Sequence, residues 1–173
     1  MVLAFVDDPA ARFVFADPQV YFDVFPRFIR AFGGSAFDHG SAHHIDGCAV
    51  ALWIPPEVQP DEEALMGLVE GAVAEQDRES AFGLFEQMGG YHPQQPCWYL
   101  PLIGTDPTRR GAGLGSALLA HALATCDQQK MPAYLEATSA RSARLYQRHG
   151  FEALGTIQAG HSPTLIPMLR KPR

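Results

Sequence analysis

Leu102-Ile103-Gly104-Thr105-Asp106-Pro107-Thr108-Arg109-Arg110-Gly111-Ala112-Gly113-Leu114-Gly115-Ser116 is the stretch that decides the fold. The apolar run Trp98–Ile103 reads as a strand, Thr105-Asp106-Pro107 as a turn, and Gly113–Asp127 as an amphipathic helix. The first turn of a helix leaves backbone N–H groups unpaired, and the helix dipole adds partial positive charge there. Gly111, Gly113 and Gly115 remove side chains, so an anion can touch the backbone, and Arg109 and Arg110 add charge. Together these predict a pyrophosphate cradle. A dinucleotide fingerprint needs Gly-x-Gly-x-x-Gly, whereas this loop runs Gly-x-Gly-x-Gly; a P-loop needs a lysine that is absent here.

Working outward, Ala133–Ala137 reads as a strand and Ser142–His149 as a short helix closed by Gly150. Phe151–Gln158 and Thr164–Arg170 look like a closing pair of strands. Upstream, Leu3–Phe5 reads as the tail of a helix stopped before Asp8-Pro9. Gln19–Phe32 carries Val20, Val24, Phe28 and Phe32 at helical spacing and ends at Gly33-Gly34. Asp46-Gly47 joins Ala42–Ile45 to Cys48–Ile54 as a hairpin. Asp61 caps a helix running to about Arg78, and a second helix spans Glu79–Met88. Strands alternating with helices, and hairpins at both ends, predict a mixed α/β sheet.

Two motifs carry a family resemblance. Arg110-x-x-Gly113-x-Gly115 resembles the pyrophosphate loop of GNAT N-acetyltransferases, and Leu145-Tyr146-x-Arg148-x-Gly150-Phe151 resembles that superfamily's second hallmark. Asp8-Pro9, Ala51-Leu52-Trp53, Trp98-Tyr99-Leu100, Pro132-Ala133-Tyr134-Leu135-Glu136 and Met168-Leu169-Arg170-Lys171-Pro172 extend the likeness toward the puromycin N-acetyltransferase subgroup. The resemblance implies the GNAT fold: a mixed, mostly antiparallel sheet flanked by helices, with a splayed central strand pair. The family's first strand precedes the segment matching Leu3, so the chain is expected to start late and to lack it. It also implies one domain over 1–173, with an acceptor-side half at 1–95 and an acetyl-CoA-binding, catalytic half at 96–173.

On that resemblance acetyl-CoA is the co-substrate. It would be held by the strand backbone at Ile103, Gly104 and Thr105, and by the loop Arg110, Gly111, Ala112, Gly113, Leu114, Gly115 and Ser116. Tyr146, and Ser139 standing where the family often has Asn, complete the set. The implied activity is acetylation of a primary amine on a small molecule. Two alternatives stay open: a non-catalytic CoA-binding regulatory module, and an N-acetyltransferase acting on a protein or peptide. The insertion Asp61–Met88 reads as a lid over a small pocket, which favours a small acceptor.

Attack of an amine on a thioester needs a neutral amine, a stabilised oxyanion and a proton for the departing thiolate. A tyrosine with a reference pKa of about 10 can supply that proton, so Tyr146 is the candidate acid. Glu136, at a strand end, is the first candidate base against a solvated or salt-bridged alternative. His92 is the second. His121 reads as packing, and His149, near a helix C-terminus, is expected to have a raised pKa and to make a poorer base. His43 and His44 lack a third ligand, so no metal is expected. Phe13, Phe15, Tyr21, Phe22 and Phe25 either line an acceptor pocket or pack a core.

The 173 residues are 47% hydrophobic and 18% charged, an ordinary globular composition. A net charge of −6 argues against nucleic acid as a partner and tolerates a cationic small molecule. No apolar run is long enough for a bilayer, and no basic segment precedes a long apolar one. Cys48, Cys97 and Cys126 form no pair and read as reduced thiols. A cytoplasmic monomer or homodimer, without membrane or nucleic-acid partners, is the expectation.

Overall fold

The computed structural model describes residues 1–173. A 3-10 turn at Val2–Phe5 precedes α1 (Pro9–Val14), α2 (Pro18–Gly33) and α3 (Ser35–Asp38). Asp8-Pro9 starts a helix instead of ending one. The Asp8 carboxylate accepts from the N–H groups of Ala10 and Ala11, and Pro9 sits at the first helical position, where its missing N–H costs nothing. Asp17-Pro18 repeats the device for α2.

The hairpin β1 (Ala42–Ile45) and β2 (Ala49–Ile54) follows, then α4 (Glu62–Ala72) and α5 (Arg78–Tyr91). The helix expected to reach Arg78 stops at Ala72, because Val73 turns extended and buries its side chain. α5 instead runs through Gly89-Gly90 to Tyr91, whose ring packs on the Tyr99 and Tyr134 cluster. Tertiary packing overrides the weak helix preference of two glycines.

The second half holds β3 (Trp98–Thr105), α6 (Leu114–Gln128), β4 (Ala133–Ala137), α7 (Ala140–Arg148), β5 (Glu152–Ala153) and β6 (Ile166–Arg170). The expected strand Phe151–Gln158 shrinks to β5 and one bridge, Ile157 to Leu165. The sheet order is β1-β2-β3-β4-β6-β5, and only β3 and β4 run parallel. No helix is long and apolar enough to cross a membrane.

Strand alternation divides the side chains between two layers. Ala49, Ala51, Trp53, Leu135 and Ala137 meet Leu119 and Leu123 of α6 and Tyr146 of α7. Leu52 and Ile54 of β2, and Tyr134 of β4, face the other side, toward the N-terminal helices. There Phe15, Tyr21 and Phe25 form a core with Leu65 and Val69 of α4. The aromatic N-terminal residues are therefore largely packing, and Phe22 is 50% exposed.

The central pair is splayed. β3 meets β4 only at Trp98–Ala133 and Tyr99–Tyr134. Pro101 follows directly, and the β2–β3 register shifts opposite it, between Leu52 and Ile54. Proline has no N–H for a ladder and is confined to edges and bulges. From Leu100 to Thr105 one edge of β3 has no strand partner.

Arg170 of β6 has a buried side chain, 4% exposed, and donates to both Asp127 carboxylate oxygens at 2.8 Å. Those bonds hold the Asp127 pKa down, to about 2. Asp127→Asn should cost about 3 kcal/mol in urea unfolding at neutral pH, because a buried guanidinium loses its counter-charge. A carboxylate whose folded pKa is depressed stabilises above its unfolded pKa and loses that contribution as pH falls toward the folded one. The gap between wild type and variant should therefore close between about pH 4 and pH 2. A constant gap across that window would contradict the assignment.

Candidate active site

The glycine-rich loop leads into α6 with its amides free. Gly113, the residue before the helix, has φ 80° and provides no side-chain cap. The N–H groups of Gly111, Gly113, Leu114, Gly115 and Ser116 find no acceptor in the chain. Gly111 has φ 88°, and a Cβ at either Gly111 or Gly113 would meet open space, so the loop is concave and uncovered. At Gly115 a Cβ would lie 3.4 Å from Leu145 Cδ2, an ordinary contact, so this position faces α7 and not the open loop. These donors, the dipole of a 15-residue helix and the exposed Arg109 suit a pyrophosphate. Arg110 is partly committed, donating to the Ala4 carbonyl at 3.2 Å.

The free edge of β3 runs straight into this loop. Its backbone at Ile103 and Thr105 is open on the β4 side, where an extended amide-bearing chain can pair with it, while Gly104 between them pairs with Val50 of β2. Gly104 has no room for a side chain, since a Cβ would sit 2.6 Å from the Cβ of Ala4. Two expected cofactor contacts are occupied within the protein. Ser139 caps α7 in a reciprocal box with Ser142, and Ser116 Oγ lies 2.7 Å from His149 Nε2. The box also moves the start of α7 to Ala140, ahead of the expected Ser142. The pKa of His149 is lowered, not raised: burial leads, and Arg148, Arg170 and Arg173 add to it, outweighing the helix end.

Tyr146 is 6% exposed, its ring 6.0 Å from that of Phe151, and its hydroxyl has no partner in the chain. Burial, and then the Asp8 carboxylate, push its ionisation well above the ordinary tyrosine value. It stays a proton donor at any physiological pH.

Glu136 lies on the opposite face of β4. It accepts from Tyr99 Oη at 2.9 Å, and the His92 ring stands 5.0 Å from the rings of both Tyr99 and Tyr134. The surrounding side chains strip its carboxylate of water, although part of it still opens onto a cavity. That burial raises its pKa to about 7, and the Tyr99 bond offsets only part of the effect. Burial also lowers the pKa of His92.

Glu136 borders two cavities. One of about 590 Å³ lies under α4 and α5, with Phe32, Phe85, Met88, His92 and Tyr99 in its walls. The other, about 70 Å³, leads past Thr138 and Asp8 between Phe15, Phe28 and Leu102. Thr138 Oγ1 donates to Asp8 Oδ2, joining the end of β4 to the start of α1. Asp8, Tyr99, Tyr134 and Thr138 were not singled out from the sequence. Tyr134 was within reach, because residues two apart on a strand share a face with Glu136. His43 and His121 pack edge to face at 4.7 Å, well away from this cluster. His121 is exposed, not packed into the core.

An uncapped glycine-rich helix start, a split parallel strand pair and titratable groups on both faces of the split meet at one place in the α/β fold. Residues 69–153 match the acetyltransferase (GNAT) domain family. A Corynebacterium glutamicum structure described as histone acetyltransferase HPA2 and related acetyltransferase is similar over 99% of this chain and 87% of its own. Its TM-score is 0.68 and its identity 28%. Drosophila melanogaster polyamine N acetyltransferase shares the fold over 79% of this chain and 77% of its own, at TM-score 0.56 and 18% identity. Agmatine N-acetyltransferase does so over 95% and 88%, at 0.59 and 15%. Mycothiol acetyltransferase from Acidothermus cellulolyticus is 35% identical over 68 residues, 38% of this chain and 21% of that protein. The chain thus spans about a fifth of the length of that curated relative.

Proposed function

We propose that this protein is an acetyl-CoA-dependent N-acetyltransferase that modifies a primary amine on a small molecule. Residues 1–95 would form the acceptor side and 96–173 the donor and catalytic side of one domain. The observation that carries the reading is the split between β3 and β4, with Glu136 on one face and Tyr146 on the other. When bound, acetyl-CoA supplies an acetyl thioester. The open β3 edge orients the arm, and the free amides of Gly111 and of Gly113 to Ser116 hold the pyrophosphate. Glu136, with a pKa of about 7, takes the proton that the attacking amine must lose. Tyr146 holds a proton at Oη for the sulfur as the carbon–sulfur bond breaks. The cavity bounded by α4 and α5, about 590 Å³, suits a small acceptor over a peptide.

Acetyl-CoA at about a hundred times its Kd should stabilise the fold by about 2.7 kcal/mol, a rise in Tm of about 5–10 °C. Gly113→Glu should abolish the rise by placing a carboxylate where the phosphates sit. Gly113→Asn, which tolerates positive φ, should keep much of it. Equal stabilisation of wild type and the Glu variant would remove the donor assignment. Thiol release in the presence of amines then tests the transfer itself.

A further inference from the structure

The charges of the chain are divided between its halves. Residues 1–95 hold fifteen of the nineteen acidic side chains and four of the thirteen basic ones, a formal charge of −11. Residues 96–173 hold the other four acidic and nine basic side chains, a formal charge of +5. An anionic donor and a cationic acceptor would thus each meet a field of the opposite sign.

The larger cavity bordered by Glu136 concentrates this contrast. Glu62 and Glu86 stand exposed at its rim, Glu136 lies half-buried at its base, and no lysine or arginine lines it. Its walls between them are Phe82, Phe85, Met66 and Met88, which suit an alkyl chain and attract a cation to the ring faces. Burial keeps the only lining imidazole, His92, neutral. Two phenols turn toward the same carboxylate. Tyr99 donates to Glu136, and the buried Tyr134 hydroxyl lies beside it, with its ring against His92 and Tyr99. An ammonium drawn to Glu136 would meet a carboxylate and phenol oxygens that can accept from it.

We infer that the acceptor carries two cationic groups separated by an alkyl chain. The reacting amine sits at Glu136, and the second cation, ammonium or guanidinium, sits at the Glu62 and Glu86 rim. This rests on the acetyltransferase reading and names its substrate class. Rim pairs in water are weak, each worth about a two- to five-fold gain, so the two together amount to about ten-fold.

The test compares cadaverine, agmatine and pentylamine on the intact protein saturated with CoA, by calorimetry, and then by thiol release from acetyl-CoA. Cadaverine or agmatine should bind about ten-fold tighter than pentylamine, and whichever is the tighter identifies the distal cation. The double substitution Glu62→Gln with Glu86→Gln should bring the ratio of dication to pentylamine affinity close to one. Raising salt from about 20 mM to about 500 mM should erode the same ratio, because exposed charges are screened beyond about one Debye length. Equal binding of pentylamine and both dications overturns the inference, as does a preference that survives the double substitution. Preferential dication binding without thiol release would support this inference and remove the transferase reading. Thiol release with equal efficiency for one and two charges would do the reverse.

Discussion

Tyr146→Phe should lower the single-turnover rate of acetyl transfer by about a hundred- to ten-thousand-fold, the usual worth of a positioned general acid. The change removes one hydroxyl that bonds to nothing in the chain and leaves the ring in place against Phe151. Stability and acetyl-CoA affinity should therefore hardly move. Single-turnover measurement is required, because slow product release hides the chemical step in kcat. The pH profile is informative too. Burial and the Asp8 carboxylate hold the phenol protonated beyond the ordinary range, so no alkaline limb from this residue should appear below about pH 10. A variant within about three-fold of wild type at every pH would leave Tyr146 as packing, with water protonating the thiolate.

Glu136→Gln should move activity and stability in opposite directions. Loss of the base should slow single-turnover transfer at pH 8 by about a hundred-fold or more. The same change should raise stability at pH 8 by about 1–3 kcal/mol. The folded pKa of about 7 lies above the unfolded value of about 4.3, so between these pH values the folded state retains a proton that the unfolded state releases. The stability contribution of Glu136 is full below about pH 4.3 and is lost as pH rises through about 7. Wild-type activity should rise through that same pH as the carboxylate ionises. Urea unfolding from pH 4 to pH 8 reads the first effect, and kcat/KM across the same range reads the second. An unchanged stability slope in the variant would show that Glu136 is solvated in the fold and is no tuned base.

What the sequence made readable was local chemistry. The glycine-rich loop, α6 and the hairpin at Asp46-Gly47 follow from residues adjacent in the chain, and the turn residues adopt the positive φ that Asp-Gly predicts. The break at Val73 and the passage of α5 through two glycines depend on partners far away in sequence. The same holds for the cluster around Glu136. Glu136 was named because it lies near a strand end, whereas Tyr99 becomes its neighbour only through the parallel pairing of β3 with β4. One available sign went unused: Pro101, in the middle of an apolar run, marks where the ladder must fail. His149 misled for a comparable reason, since burial leads its shift and Arg170 and Arg173 reach it from the far end of the chain, beside its neighbour Arg148.

The open side of β3 has a consequence for solubility. An unpaired strand edge is a template on which another chain can form a ladder. The N-terminal turn lies over Gly104, but Ile103 and Thr105 turn their backbone groups to the side that no strand covers. A ligand arm paired along β3 would close the edge, so the proposed donor would also guard against self-association, and the ligand-free protein should be the more prone to aggregate.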